Sequence, residues 1–294
     1  MKRSSLFAIL LALGMVWGGT IPLTKIVVST GHHPIGLLFW QSIVAVLIVG
    51  CIIIYRRSQI DFDKRHLVFF TMIAFSGTLL PNSVSYYSAY HLPASVLALT
   101  IALVPMFSLL VALVFKIEKF NIVRLGGVLL GAAAIALITL PENSLPDPTK
   151  AIFVLILLLA PLCYAVEGNY LAVQQPKGTG PFATLFGASL IGILVTTPLA
   201  LTTGTFINPL NTFGAPELAL VASTLLHVVA YSGYIWMVDK AGAVFSSQVA
   251  YVVTPAGVIL SMIFLGENPS PYLWFALLIL LVALTLVRPS EVEK

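Results

Sequence analysis

The sequence has few charges, few cysteines and few candidate metal ligands. Only 9% of its 294 residues are charged, whereas a soluble domain has about 25%. Its two cysteines, Cys51 and Cys163, lie inside apolar runs, which argues against a disulfide framework or a zinc site. The adjacent His32 and His33 point to different faces and make a poor metal site. We therefore expect no metal and no cofactor.

Motifs of nucleotide and hydrolytic chemistry are also missing. The sequence has no H-E-x-x-H, no G-x-S-x-G and no phosphate-binding loop. Without a nucleotide site, the chain cannot drive a process by its own ATP hydrolysis. The net charge of +4 comes from basic residues spread in ones and twos, so a nucleic-acid partner is not expected.

Apolar residues, by contrast, make up 59% of the sequence and give a mean hydropathy of +1.02. A helix of about 20 residues crosses a hydrocarbon core of about 30 Å. We predict an all-α integral membrane protein with ten transmembrane helices, because ten apolar segments come close to this length. They cover roughly residues 5–29, 34–55, 67–90, 93–115, 121–140, 151–174, 181–203, 215–238, 243–266 and 271–288.

The basic residues indicate the orientation, because Lys and Arg of short loops are retained on the cytoplasmic side. Both termini are therefore predicted to be cytoplasmic. Only Lys25 and Lys150 fall on the opposite side, and Lys25 either reaches the interface or faces a cavity as a gate. The cytoplasmic set is Lys2, Arg3, Arg56, Arg57, Lys64, Arg65, Lys116, Lys119, Arg124, Lys177, Lys240, Arg288 and Lys294.

The two halves of the chain resemble each other. Pro105 in the fourth segment and Glu118 just after that segment recur about 150 residues later, as Pro255 in the ninth segment and Glu267 just after it. Because each half has five spans, an odd number, the second copy enters the membrane from the opposite side. Such inverted repeats are a common transporter design with the binding site at their interface. The two prolines are candidate hinges, or else tolerated kinks.

The repeat gives a predicted domain layout. Residues 1–140 form the first five-helix repeat, and residues 151–294 form the second. Between them, residues 141–150 are acidic and rich in proline and are predicted to be a non-cytoplasmic linker.

The tract Gly-Met-Val-Trp-Gly-Gly-Thr at 14–20, the tract at 94–118 and the parallel tract ending Gly266-Glu267 resemble the drug/metabolite transporter superfamily, and within it the EamA-type ten-span carriers. The resemblance covers essentially the whole chain. It implies export or exchange of small organic metabolites across a bacterial inner membrane, with a central cavity between two five-helix bundles. The first half departs from the family's Gly-Glu ending, since Ile117 precedes Glu118.

Glu167 lies well inside the sixth span, with Tyr164 on the same helical face. A charge at a helix centre costs on the order of 2.5–3.5 kcal/mol, so this carboxyl needs an explanation. It is a candidate for proton coupling or for binding a substrate amine. The alternative is a structural hydrogen bond to a neighbouring helix.

Polar and aromatic stripes on other spans are candidates for the lining of the cavity. His227, Tyr231 and Tyr234 form one in the eighth span, and Asn82 and Tyr86 belong to one in the third span. Pro81 leaves a backbone carbonyl beside Asn82 without its helical partner. Packing in the core is the alternative for each stripe. The predicted substrate-binding residues are Trp17, Asn82, Tyr86, Tyr164, Glu167, His227, Tyr231, Tyr234, Gln248 and Tyr251.

We therefore hypothesise a secondary transporter that exports a small organic metabolite, with an amino acid or a related amine favoured. The alternative hypotheses are an uncoupled facilitator or importer, an intramembrane enzyme or lipid-handling protein, and a sensory or structural partner protein.

The GxxxG pair Gly127 and Gly131 serves packing within the bundle, or else dimerisation through the fifth span. The expected partners are the small-molecule substrate, lipid and, if transport is coupled, protons.

Overall fold

The computed structural model describes residues 3–116, 119–208, 213–241, 246 and 248–287, and this part of the chain is helical and contains no strand. Short 3-10 turns, Val28–Thr30 and Pro148–Lys150, follow the first helix and precede the eighth. The helices are α1 (Arg3–Val27), α2 (Pro34–Arg56), α3 (Lys64–Ile73), α4 (Leu80–His91), α5 (Ala94–Ile101), α6 (Val104–Val114), α7 (Ile122–Thr139), α8 (Ala151–Leu157), α9 (Leu159–Gln174), α10 (Pro181–Thr202), α11 (Ala215–Ala241), α12 (Ala250–Leu265) and α13 (Pro271–Leu286).

Within the described ranges, eight helical segments of 18 or more residues are long and apolar enough to cross a membrane. The helices α12 and α13 are also apolar but have only 16 residues each, about 24 Å at 1.5 Å per residue. The prediction of an all-helical chain with membrane-crossing helices is confirmed. Ten spans, inverted repeats and cytoplasmic termini stay predictions.

Proline interrupts the third and fourth of these segments. Pro81 has no N–H to donate to the carbonyl of Gly77, and the backbone before it widens into a π-helical turn, Ala74–Leu79, between α3 and α4. Pro105 is at the start of α6, after a turn that separates α6 from α5. Such π turns and breaks recur at functional sites, and both of these adjoin the central cavity of the bundle.

The helix pairs in contact define the bundle. Helix α1 packs against α11 and α12, α2 against α10, α5 against α12, α6 against α9, and α7 against α13. The bundle has two ends, which differ in their charged residues. The Lys25 end is where α1, α4 and α12 end, and the Arg124 end is where α6 ends and α7 begins.

Close packing uses two GxxxG pairs, Gly14 and Gly18 in α1 and Gly127 and Gly131 in α7. A Cβ atom at Gly18 of α1 would lie 2.8 Å from the Cβ of Ala256. One at Gly127 of α7 would lie 2.5 Å from Cγ2 of Val287 and 2.9 Å from the carbonyl oxygen of Ala283. These glycines therefore pack against other helices of the same chain. The face of α7 that was the candidate dimer contact is occupied within the chain, and dimerisation itself stays a prediction.

Replacing Gly127 by Ala should destabilise the bundle, since the added methyl overlaps both a side chain and a backbone oxygen of α13. We expect a cost of about 1–3 kcal/mol, as for other overpacked sites. Unfolding in detergent, followed by heat or denaturant, measures this cost. The matched control is Gly126→Ala, where an added Cβ meets no atom within 4 Å. Equal stability of the two variants would contradict this packing of α7 on α13.

Candidate functional site

A cavity of about 410 Å³ lies in the middle of the bundle. Thr24 and Leu97 line it toward the Lys25 end, and Arg124 and Val287 line it toward the Arg124 end. Its walls come from both halves of the chain. Eight of the ten predicted substrate-binding residues line it: Trp17, Asn82, Tyr86, Tyr164, Glu167, His227, Tyr231 and Tyr234.

Glu167 of α9 is at the cavity wall, with 8% of its surface exposed. Its Oε1 atom accepts a hydrogen bond from the hydroxyl of Tyr231 on α11, at 2.9 Å. This contact fixes the position of the carboxyl group. It also joins α9 to α11 across the cavity wall.

Gly77, in the π-helical turn, determines where the Glu167 carboxyl can lie. A Cβ atom at Gly77 would overlap all three atoms of that carboxyl group, Cδ, Oε1 and Oε2. The carboxyl therefore packs directly against the backbone of the third segment. Sequence reasoning did not select Gly77, and its one signal was its position four residues before Pro81, at the carbonyl that the proline leaves unpaired.

Four rings form an aromatic cluster beside this carboxyl. Trp17 of α1 makes edge-on contacts with His227 and Tyr234 of α11, with ring centroids 6.1 and 5.9 Å apart. His227 stacks on Tyr231 at 5.7 Å and an interplanar angle of 16°. These separations lie within the favourable range for aromatic pairs. The cluster gives one wall of the cavity a rigid aromatic surface.

A second hydrogen-bond network lines the same cavity. The hydroxyl of Tyr164 donates to Asn82 Oδ1 at 2.9 Å, and Asn82 Nδ2 donates to Gln41 Oε1 at 3.1 Å. The hydroxyl of Tyr86 donates to the same Gln41 oxygen at 3.2 Å. Gln41 of α2 was missed in the sequence, although a polar side chain inside an apolar run signals a buried role.

Asn169 is a further missed residue. Its Nδ2 atom donates to Ser108 Oγ at 2.9 Å and to the carbonyl oxygen of Ala165, also at 2.9 Å. Both Asn169 and Ser108 line the cavity. This contact links α9 to α6 just beyond Pro105, which lines the cavity as well.

The structure does not place Gln248 or Tyr251 at this cavity. Helix α12 begins only at Ala250, so Gln248, which the predicted span 243–266 included, precedes the helix. Val249 and Val253 are at the cavity instead, and successive helical residues are 100° apart. Tyr251 consequently faces elsewhere, half-buried against the core. Binding roles for Gln248 and Tyr251 stay predictions.

Arg124 was not among the predicted substrate-binding residues, but it lies at the cavity. It was assigned to the cytoplasmic side, near the start of the fifth predicted span, and it lies in the first turn of α7 with only 7% of its surface exposed. It lines the cavity together with Ala112 and Val287. The cavity therefore has a basic side chain toward one end and a carboxyl group deeper inside. In the described part of the chain, no group of three or more His, Cys, Asp or Glu residues could hold a metal ion.

Comparison with known proteins decides the family. Residues 4–140 and 151–288 match the EamA-like transporter family. The chain belongs to this family. The Escherichia coli K12 protein described as "Uncharacterized inner membrane transporter YedA" is 24% identical over 284 residues, which cover 96% of this chain and 90% of that protein. The protein of that name from Escherichia coli O157:H7 matches to the same extent.

A solved crystal structure shares the fold of this EamA-like chain. Its TM-score is 0.61 at 16% sequence identity, and the match covers 97% of this chain and 98% of the other. The family resemblance noted in the sequence is confirmed. The chain is accordingly a multi-pass inner-membrane protein of a family that transports small molecules.

Replacing Gly77 by Ala should impair transport without unfolding the protein. The added methyl displaces the flexible end of Glu167 and weakens its hydrogen bond to Tyr231, so we expect a loss of about tenfold or more. Transport of a metabolite panel in proteoliposomes measures activity, and thermal unfolding in detergent measures the fold. The matched control is Gly168→Ala, a cavity-lining position where an added Cβ meets no atom within 4 Å. Full activity of Gly77→Ala would show that transport does not depend on the position of the carboxyl.

Proposed function

We propose that this EamA-like protein is a secondary transporter that exports a small organic metabolite by alternating access, with an amino acid or related amine favoured and protons as the coupling ion. The observation that carries the proposal is the Glu167 carboxyl, which is held by Tyr231 in a cavity built from both halves. A buried carboxyl can bind a proton or a substrate ammonium, but one group cannot hold both in the same place. Because the proton and the substrate ammonium would compete for this carboxyl, binding of one would release the other.

The size and lining of the cavity support an organic substrate. Its volume of about 410 Å³ falls within the range of about 300–1,000 Å³ typical of small-molecule pockets. The aromatic cluster offers apolar contact area and, through its ring faces, favourable sites for a cation. Arg124 at one end of the cavity and Glu167 deeper inside offer charged groups of both signs to a polar substrate.

Two inverted five-helix repeats, residues 1–140 and 151–294 joined by a linker at 141–150, are part of the proposal. Their support is the symmetry of the helix contacts. The pairing of α1 with α11 and α12 is matched by the pairing of α9 with α4 and α6, while α2–α10, α5–α12 and α7–α13 each join equivalent helices. The helices α6 and α12 are also followed by left-handed residues, Lys116 (φ 57°) and Gly266 (φ 66°).

Alternating access would then be a rocking of the two repeats about the cavity. With ten spans and both termini in the cytoplasm, the Arg124 end is cytoplasmic and the Lys25 end is not. Pro105 and Pro255 are the proposed hinges, and Pro105 adjoins the break between α5 and α6. Pro255 lies inside the continuous helix α12.

Efflux from proteoliposomes tests this function directly. The liposomes hold a pooled panel of amino acids, amines and other metabolites, and efflux is measured with and without an inward proton gradient. We expect the gradient to accelerate the loss of amino acids or amines. Protein-free liposomes are the control. An efflux rate that does not change with the gradient would contradict proton coupling, and no efflux of any solute would contradict the proposed transport.

Replacing Glu167 by Gln should abolish the gradient-driven component of that efflux. The change keeps the volume of the side chain and removes its capacity to bind a proton, so we expect a loss of about tenfold or more if one buried charge contact is the coupling element. Glu142→Gln is the matched control, because Glu142 is an exposed acid in the linker, away from the cavity. If transport and its pH dependence survive in Glu167→Gln, the coupling role is wrong.

A further inference from the structure

The corner between α4 and α5 is held from two sides by charged residues. Helix α4 ends at His91, Leu92 and Pro93 follow, and α5 begins at Ala94. The ends of helices leave carbonyl and N–H groups without partners inside the helix. At this corner a positively charged side chain binds carbonyl groups at the end of α4, and a negatively charged side chain binds N–H groups at the start of α5.

Lys25 of α1 binds the end of α4. Its Nζ atom donates to the carbonyl oxygen of Ala89 at 2.6 Å and to that of Leu92 at 2.8 Å. A cation at the C-terminus of a helix is favoured by the helix dipole. Lys25 therefore fixes α4 to α1, and it does not line the central cavity.

Glu267 binds the start of α5. Its two carboxylate oxygens accept hydrogen bonds from the backbone N–H groups of Ala94, at 2.6 Å, and Ser95, at 2.9 Å. Pro93, the residue before the helix, has no side chain that could cap these groups. Gly266, in the left-handed conformation at φ 66°, ends α12 and so turns Glu267 toward the corner.

This second contact joins the two halves of the chain. Glu267 belongs to the loop between α12 and α13, about 170 residues beyond the helix that it caps. Other contacts between the halves lie at the same end: Trp40 Nε1 donates to the carbonyl oxygen of Ile207 at 2.8 Å, and His32 lies 3.8 Å from Glu217. The halves are therefore hydrogen-bonded at the Lys25 end, in addition to their packing elsewhere, as of α7 on α13.

The corner also separates two cavities. Thr24 and Leu97 line the central cavity. Lys25, Leu92 and Glu267 line a second cavity of about 280 Å³ at the Lys25 end. A solute passing from one cavity to the other would have to pass this corner.

We propose that Lys25 and Glu267 close a gate at the Lys25 end of the bundle, an inference that rests on the proposed alternating-access function. In the closed state the Glu267 carboxylate caps α5 and holds the second half against the first. Opening moves the α12–α13 loop away from α5 and exchanges the two N–H contacts for water. Lys25 keeps the end of α4 fixed to α1, so the corner stays intact while Glu267 leaves it.

Cysteine accessibility tests the gate without a transport substrate. Thr24→Cys, in a chain with Cys51 and Cys163 replaced by serine, places one thiol in the central cavity behind the corner. A membrane-impermeant maleimide is applied separately to each face of the reconstituted membrane. We expect slow labelling from the Lys25 face in this parent, and labelling about tenfold faster or more when Glu267→Gln removes the charge-assisted contacts.

Two further variants complete the experiment. Glu142→Gln, an exposed acid of the linker, should leave the labelling rate unchanged. Lys25→Met keeps most of the side-chain volume and removes the positive charge that attracts the Glu267 carboxylate in the closed state. It should therefore also accelerate labelling, which covers the case in which Glu267→Gln does not fold. Fast labelling of the parent from the Lys25 face, or an unchanged rate in the folded gate variants, would overturn the gate. Labelling that changes as expected in a protein without measurable efflux would instead count against the proposed function alone.

Discussion

The hydrocarbon core of a membrane offers no hydrogen-bond partner, and this constraint governs the interior of the protein. Many hydroxyl groups in the spans turn back to the carbonyl of the preceding turn, as Thr24, Ser42 and Thr196 do. Side chains too long for this must bind across helices. Glu167 and Gln41 are of this kind, and their partners lie on other helices around the cavity.

The hydrogen bonds that allow polar groups to lie in the spans also bring these groups together as a site. Polar atoms that a hydrocarbon would exclude collect where several helices can satisfy one another, and that place is the central cavity. The Lys25 end shows a different use of the rule, because there backbone groups at the ends of α4 and α5 are satisfied by whole charges. Side-chain pairs around the cavity and charge–backbone pairs at the corner are separate sets of bonds, so one can open without dismantling the other.

The length of the apolar runs, the helical spacing of polar residues and the free-energy cost of a buried charge were enough to predict much of this arrangement from the sequence. Long apolar runs gave the helices, and the expense of a buried carboxyl singled out Glu167. The sequence could not predict which side chains pair across helices, because no local pattern tells which side chain will contact Gln41 or which glycine will contact a carboxylate. The start of α12 was also out of reach: the predicted ninth span begins at residue 243 and α12 begins at Ala250, and such a shift changes which side chains face inward.

The π-helical turn at Ala74–Leu79 has a consequence for comparing this protein with its relatives. An extra residue in one turn rotates everything after it by about 100° relative to a regular helix. A single helical wheel drawn over the whole third segment therefore assigns Phe69 and Asn82 to the wrong relative faces. An insertion or deletion in this turn would exchange the lining of the cavity for the side chains behind it, while leaving the composition of the span almost unchanged.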